Sequence, residues 1–296
     1  MRTCRHRELT QWAPPTHGRS RKKVSVSWGA GLHARDGAPL DASAYWNYVG
    51  RWSQLFVPSL LDAARVEPGK RVLDVATGSG EAALLAVSRV REAGFVVGAD
   101  ISLPMLSAAR GRVTGATFGA VLVDAHSLAF EDGCFDSVLC QLGLMFFPDP
   151  HQALLEMRRV VRRDGRVAAC VVSSADRAPM WGVLAECLSQ RLPEQARGLQ
   201  LSFALADASR FQGMFAAVGL RDVRVERHSR EAAIASFDEY WAPIELGAGQ
   251  LPQAYLALPS ADRHAVRDEV RARLSQYEVD GRLVMRVEML IASGCA

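Results

Sequence analysis

Between residues 71 and 172, short apolar runs alternate regularly with amphipathic stretches, and no other sequence feature constrains the fold as strongly. The segments between these runs place apolar residues three and four positions apart, as helices packed on a sheet do. Strict alternation of buried strands with helices predicts an α/β fold with a doubly wound, mostly parallel, Rossmann-like sheet. The predicted strands are residues 71–75, 95–99, 118–123, 135–141 and 167–172.

The regions that flank this alternation predict four parts of the chain. Residues 1–40 are polar, basic and without periodicity, which predicts a disordered extension. Residues 41–66 carry aromatic side chains at helical spacing and predict N-terminal helices. Residues 67–175 form the predicted core. Within residues 176–296, we expect lid helices inserted around closing strands of the same sheet, near residues 220–226 and 283–292.

The charge is distributed unevenly along the chain. The formal net charge is +3, yet residues 1–23 hold seven basic residues and one acidic residue, so the remaining 273 residues sum to −3. A body with that charge argues against a nucleic-acid partner. The sequence contains no run of 18 apolar residues, so no integral membrane segment is predicted, and no signal-peptide core follows the basic start. We therefore expect a cytoplasmic protein, with a homodimer left open.

Three aspartates stand at the carboxyl ends of three successive predicted strands. They are Asp74, Asp100 and Asp124, and open parallel sheets bind ligands outside those ends. Gly78 and Gly80, in the turn after the first strand, let the backbone approach a ligand closely. Asp100 follows Gly80 by 20 residues, a spacing at which a carboxylate accepts both ribose hydroxyls of an adenosine. This constellation predicts a nucleoside site.

Two neighbours of these aspartates complete the predicted adenine site. Ile101 would pack against the adenine face, and Ala125 lies beside Asp124, which is placed to meet the adenine amino edge. Gly78, Gly80 and Asp100 also fit a dinucleotide fingerprint. Asp74, however, would repel a pyrophosphate at the helix N-terminus, whereas S-adenosylmethionine has no phosphate and carries two cationic groups. The residues therefore favour S-adenosylmethionine.

Five stretches together resemble the motifs of class I S-adenosylmethionine-dependent methyltransferases. Residues 72–80, Val-Leu-Asp-Val-Ala-Thr-Gly-Ser-Gly, are similar to the first motif, in the form typical of the ubiquinone/menaquinone-biosynthesis (type 11) kind. Residues 97–102, 124–136, 141–149 and 158–166 continue the resemblance, which covers about residues 44–175. By this resemblance the cofactor-binding residues are Arg51, Asp74, Ala76, Thr77, Gly78, Gly80, Asp100, Ile101, Met105, Asp124, Ala125, Gln141 and Leu142.

The segment 44–53, Ala-Tyr-Trp-Asn-Tyr-Val-Gly-Arg-Trp-Ser, is similar to an N-terminal helix that covers the cofactor in relatives. The resemblance implies that Arg51 pairs with the cofactor carboxylate and that Tyr45 or Tyr48 lines the methyl channel. A core-packing aromatic stripe with a solvated arginine is the alternative interpretation. His126 is the candidate general base near the sulfonium. No histidine pair or acid cluster requires a metal, so none is expected.

These features predict methyl transfer to a small, mostly apolar acceptor whose accepting atom stays open. The apolar acceptor is inferred from the lid, which contains Trp181, Phe203, Phe211, Met214, Tyr240 and Trp241. One rival is an NAD(P)-dependent oxidoreductase, although Lys70 is the sole lysine after residue 23 that could serve a Tyr-x-x-x-Lys pair. A second rival is a cyclase or accessory protein that binds S-adenosylmethionine and transfers no methyl group.

Overall fold

The computed structural model describes residues 42–296, so the predicted basic extension of residues 1–40 lies outside the described residues. Within the described part, an eight-stranded sheet has the order β3-β2-β1-β4-β5-β8-β6, and β7 pairs with β8. The strands are β1 (Arg71–Val75), β2 (Phe95–Asp100), β3 (Phe118–Leu122), β4 (Phe135–Gln141), β5 (Val161–Val172), β6 (Arg221–Ile234), β7 (Glu278–Val279) and β8 (Arg282–Cys295).

The sheet is parallel through its first five strands. β1 pairs in parallel with β2 on one side and β4 on the other, and β8 runs antiparallel between β5 and β6. The prediction of a doubly wound, mostly parallel sheet is confirmed. The strand order reverses between β1 and β4, and in such sheets the reversal opens a crevice at the carboxyl ends.

The helices of eight or more residues, together with two of seven, cover both faces of this sheet. They are α1 (Val57–Ala63), α2 (Glu81–Val90), α3 (Leu103–Arg112), α4 (Pro150–Val160), α5 (Pro179–Arg191), α6 (Ala208–Ala217), α7 (Phe237–Glu245), α8 (Gln250–Leu256) and α9 (Ser260–Leu274). Single turns of α-, π- or 3₁₀-helix occur at Ala42–Tyr45, Trp46–Gly50, Arg51–Ser53, Gln54–Phe56, Leu144–Phe146, Ala175–Arg177, Pro193–Gln195, Ala196–Leu199, Leu201–Phe203 and Ser275–Tyr277.

Local sequence explains where several helices begin. The Ser102 hydroxyl accepts a hydrogen bond from Met105 N at the start of α3, and the Asp149 carboxylate accepts one from Gln152 N at 2.9 Å at the start of α4. Pro150 occupies the first turn of α4, where its missing N–H would have no helical partner. These caps satisfy backbone N–H groups that the first turns of the two helices leave without a helical partner.

The core lies between the sheet and its flanking helices. Val72, Leu73, Val138 and Leu139 from the two central strands have no exposed surface. The apolar faces of α1, α2 and α4 pack on them, as the amphipathic spacing predicts. The central strands therefore form a rigid base for the turns that follow them.

The two closing strands are longer than the sequence predicts. β6 was expected over residues 220–226 and β8 over residues 283–292, but their register continues from Arg224 opposite Ser293 to Ile234 opposite Leu283. Polar residues dominate the far half of β6 because it is an edge strand, so the apolar pattern ends before the strand does. The extension carries the chain out to α7. Of the two helical stretches around β6, α5, the turn at Ser202 and α8 reach the carboxyl ends of the parallel strands.

Candidate functional site

A cavity of about 200 Å³ opens at the carboxyl ends of β1, β2 and β4. The N-terminal turns cover it from one side, and α5, α8 and the turn at Ser202 cover it from the other. Its wall is mostly apolar, as small-molecule sites are. The predicted site residues that line it are Tyr45, Tyr48, Ala76, Gly78, Asp100, Ile101, Met105, Ala125, Gln141 and Leu142.

Asp100 lies at the cavity wall with its carboxylate held by backbone amides. One oxygen accepts a hydrogen bond from Gly78 N at 2.9 Å, and the other accepts one from Ser102 N at 2.8 Å. Gly78 has a φ of +55°, a conformation that favours glycine and turns its N–H toward the aspartate. Burial raises the pKa of Asp100 while these amides oppose the shift. The carboxylate is fixed in orientation and keeps acceptor capacity toward the cavity.

Asp74 is buried beneath the glycine-rich turn. The Thr77 hydroxyl donates to one of its oxygens at 2.7 Å, and the other oxygen has no hydrogen-bond partner among the described residues. Burial raises the pKa of Asp74 to about 7, opposed by the Thr77 bond and reinforced by nearby Glu81 and Asp100. Neither Asp74 nor Thr77 lines the cavity, so both lie behind the turn that does.

Gln141 presents a second unpartnered acceptor. It ends β4 and lines the cavity, and its side-chain N–H donates to Ser53 O at 2.7 Å. That bond fixes the amide, and its carbonyl oxygen is buried without a partner among the described residues. The end of β4 thus carries one acceptor oxygen at the cavity that a cationic group would satisfy, whereas the unpartnered oxygen of Asp74 lies behind the cavity wall.

Asp124 and His126 form a turn at the end of β3 and do not line the cavity, whereas Ala125 between them does. Asp124 accepts hydrogen bonds from His126 N at 2.8 Å and from His126 Nδ1 at 2.7 Å. Asp149 N donates to His126 Nε2 at 3.3 Å, so the ring proton lies on Nδ1. Both ring nitrogens therefore tie β3 to the start of α4, and the base role of His126 stays a prediction that this geometry does not favour.

Arg51 pairs with a carboxylate of the protein itself. Its Nη1 lies 2.8 Å from Glu239 Oε1 on α7, and its guanidinium lies 4.2 Å from the centroid of the Trp52 ring. The ion pair lowers the pKa of Glu239. Arg51 does not line the main cavity, so pairing with a cofactor carboxylate stays a prediction that would need Glu239 to release it.

The two predicted tyrosines both line the cavity. Tyr48 is 5% exposed, and its hydroxyl has no hydrogen-bond partner among the described residues. Burial raises the pKa of both tyrosines, with Tyr240 adding to the shift of Tyr48 and Glu81 and Asp100 to that of Tyr45. Both hydroxyls are therefore protonated near neutral pH.

Gly80, which the sequence also predicts as a cofactor-binding residue, lies behind the cavity wall, where an added Cβ would lie 3.0 Å from Val113.

Several lining residues carried no assigned role in the sequence analysis. The stretch after β4 brings Met145, Phe146 and Phe147 to the cavity, and its place in a family motif was a usable signal. Trp181 belonged to the predicted lid. Ser202, Gln250 and Leu251 had no local signal, because their approach to the cavity depends on how the lid folds over the sheet.

The sequence of the core matches a known family model. Residues 73–169 match the family model described as a methyltransferase domain, so the predicted resemblance to class I S-adenosylmethionine-dependent methyltransferases is confirmed. The matched region contains most of β1, all of β2 to β4 and most of β5, the strands whose ends meet at the cavity.

More particular relatives indicate which kind of methyltransferase the chain resembles. It is 41% identical over 119 residues to the ubiquinone/menaquinone biosynthesis C-methyltransferase UbiE of Xanthomonas campestris. The aligned region covers 39% of this chain and 46% of that protein. The chain therefore matches about half the length of this relative.

Solved structures extend the likeness of the fold. A candidate methyltransferase from Bacillus halodurans superposes with a TM-score of 0.55 at 20% identity, over 81% of this chain and 97% of that one. The phosphoethanolamine N-methyltransferase 2 of Haemonchus contortus, solved with S-adenosyl-L-methionine, superposes with a TM-score of 0.54 at 18% identity, over 86% of this chain and 57% of that one.

None of the helices within residues 42–296 has the length and apolar character that a membrane span requires.

Proposed function

We propose that this protein transfers a methyl group from S-adenosylmethionine to a small, mostly apolar acceptor. The observation that carries the proposal is the coincidence of the methyltransferase-domain match with the cavity, since residues 73–169 contribute the β-strand ends that line it. The related UbiE of Xanthomonas campestris is a C-methyltransferase, which supports a methylated small molecule as the product.

The residues at the carboxyl edge fit S-adenosylmethionine, which supplies a methyl group activated by a positively charged sulfur. Asp100 would hold the ribose hydroxyls with the acceptor capacity that its two amide contacts leave. Ile101 and Ala125 would flank the adenine from the cavity wall. The unpartnered oxygen of Gln141, which lines the cavity, suits the cationic end. A dinucleotide pyrophosphate would instead meet uncompensated carboxylates, which disfavours the oxidoreductase alternative.

The remaining parts of the chain would enclose the acceptor. We assign residues 67–175 to cofactor binding, and residues 41–66 and the lid helices within residues 176–296 to covering the site, with Asp41 itself outside the described residues. The closing strands within residues 176–296 complete the sheet. Val49, Trp181 and Leu251 bring apolar surface to the cavity from three separate segments. This enclosure excludes water, and holding donor and acceptor together lowers the entropic part of the barrier. Tyr45 and Tyr48 line the same space and would orient the acceptor.

Thermal unfolding with S-adenosylhomocysteine, NAD⁺ and NADP⁺ tests the cofactor. At 100 times its dissociation constant, a ligand stabilises the folded state by about 2.7 kcal/mol, which raises Tm by several degrees. We expect this rise with S-adenosylhomocysteine alone, its loss in Asp100→Ala, and its retention in Asp262→Ala, which removes an exposed carboxylate. A rise with a dinucleotide alone would make the oxidoreductase the working function.

Turnover separates a methyltransferase from a protein that only binds the cofactor. Release of S-adenosylhomocysteine in the presence of a panel of apolar and polar acceptors is the measurement. We expect release with apolar acceptors, because the cavity wall is mostly apolar. Binding without release for any acceptor would favour the cyclase or accessory role. A homodimer and a cytoplasmic location stay predictions, and light scattering on the purified protein measures the first.

A further inference from the structure

A small side chamber lies beside the main cavity, and Tyr48 and Trp181 line both spaces. Its volume is about 10 Å³, which is room for one water-sized group. The N-terminal turns, α5, the end of β6 and α7 meet around it. The lining residues are Asn47, Tyr48, Arg51, Trp52, Met180, Trp181, Ile234 and Tyr240.

Two of the lining residues bring buried hydrogen-bond donors that have no acceptor. The Tyr48 hydroxyl and the Arg51 Nε–H are both buried without a partner among the described residues. An arginine Nε can only donate. The neighbouring Tyr240 hydroxyl is already satisfied, since it donates to Met180 O at 2.8 Å. Buried polar groups in folded proteins are nearly always paired, so two unpaired donors beside one small space indicate a missing acceptor atom.

Charge and position narrow the kind of group that fits. Glu239 already pairs with the Arg51 guanidinium, so the chamber requires no full counter-charge. Trp181 Nε1 donates to Tyr48 O at 3.2 Å, which anchors the tyrosine backbone against the lid. Because Tyr48 and Trp181 border both spaces, a molecule in the apolar cavity can direct a terminal atom toward the chamber.

We propose that this side chamber is a recognition subsite for a single hydrogen-bond-accepting oxygen, a carbonyl oxygen, on the acceptor molecule. The proposal rests on the proposed function, because the ligand that carries this oxygen is the methyl acceptor. The Tyr48 hydroxyl and Arg51 Nε donate to the oxygen, and the apolar remainder of the molecule lies in the main cavity. Tyr48 and Arg51 are thereby specificity-determining residues, and an apolar molecule without such an oxygen leaves both donors unpaired.

The test compares butyrophenone with butylbenzene, which share their skeleton and differ by one carbonyl group. Their affinities are measured by titration calorimetry on the full chain saturated with S-adenosylhomocysteine. We expect the wild-type protein to bind the ketone about tenfold more tightly, the effect of satisfying a buried donor. In Tyr48→Phe we expect most of this preference to disappear, with the affinity for butylbenzene within about twofold of the wild type.

Two further variants sharpen the result. Arg51→Lys keeps the charge that pairs with Glu239 and removes the Nε–H, so it should reduce the ketone preference while the lid stays attached. Tyr277→Phe removes a hydroxyl that lines neither space and should keep the full preference. Tyr48→Phe is expected to fold, because it deletes an unsatisfied buried hydroxyl and adds no volume.

Equal affinity of the wild type for the two probes would overturn the subsite, with ordered water as the occupant of the chamber. A ketone preference that persists in both Tyr48→Phe and Arg51→Lys would overturn it as well. Failure of the proposed function has a different signature. In that case S-adenosylhomocysteine itself does not stabilise the protein, whereas failure of the subsite leaves cofactor binding intact.

Discussion

Tyr48 and Gln141 each bury a polar atom without a partner among the described residues, and both side chains line the same cavity. Such atoms lower the free energy of unfolding, since the folded protein removes them from water and returns no hydrogen bond. Natural proteins keep strained or unsatisfied groups mainly at functional sites. At the residue scale, these unpaired polar atoms therefore help to identify the cavity as a functional site.

The pH dependence of stability tests the burial of Asp74. Its pKa rises from 3.8 when unfolded to about 7 when folded, so the folded state binds the extra proton between these values. The associated stability is fully present below pH 3.8 and is lost as the pH rises through 7, a change of ~1–4 kcal/mol. Asp74→Asn stays neutral throughout and should lack this loss. Urea unfolding of both proteins at several pH values is the measurement, and parallel pH profiles would contradict the prediction.

Removing the hydroxyl of Tyr48 and removing that of Tyr240 should have different effects on the free energy of unfolding. Tyr48→Phe removes an unpaired group and should leave the free energy of unfolding unchanged or raise it by about 1 kcal/mol. Tyr240→Phe removes the hydroxyl that donates to Met180 O and should lower it by about 1 kcal/mol. Urea unfolding of the two variants measures both changes. A similar loss in both would mean that the Tyr48 hydroxyl has a partner in solution.

At the scale of elements, the lid is attached to the N-terminal turns by few polar contacts. Arg51 pairs with Glu239 on α7, and Trp181 on α5 donates to the Tyr48 backbone. Glu239 also closes the start of α7, because its other carboxylate oxygen accepts from Ala235 N at 2.8 Å while Glu239 N donates to the Ser236 hydroxyl. One glutamate thus caps a lid helix and holds the arginine that the family resemblance assigns to the cofactor.

Releasing Arg51 from Glu239 tests that assignment. Glu239→Gln keeps an oxygen for Ala235 N and removes the ion pair. The pair is partly exposed, so its loss should lower the free energy of unfolding by less than about 1 kcal/mol. If Arg51 then pairs with the cofactor carboxylate, affinity for S-adenosylhomocysteine rises severalfold, while affinity for methylthioadenosine, which has no carboxylate, stays constant. Calorimetry measures both, and an equal change for the two ligands would contradict the assignment.

At the scale of the whole molecule, the cavity is built from segments far apart in the chain. The sheet supplies its base where the order reverses between β1 and β4. The cover comes from the turns before α1, from α5 and the turn at Ser202, and from α8. The covering segments are separated by strands of the sheet, so the enclosed site exists only when the whole sheet has formed.

The alternating core could be predicted from the sequence, because strand and helix periodicity and the glycine-rich turn are local signals. Asp100, Gly78 and Gln141 line one cavity, since residues at parallel strand ends meet at one edge of the sheet. The family motifs, confirmed by the domain match, lie within this same region.

The contacts between side chains that lie far apart in the sequence depend on how the segments pack in the fold. This packing pairs Arg51 with Glu239, ties His126 to Asp149, and brings Gln250 to the cavity. Such contacts join segments whose sequences contain no local signal of one another. The partner of a charged side chain therefore depends on which segments pack together in the fold. The lid and its side chamber could not be predicted in the same way, because the apolar and aromatic residues of a lid resemble those of any buried core.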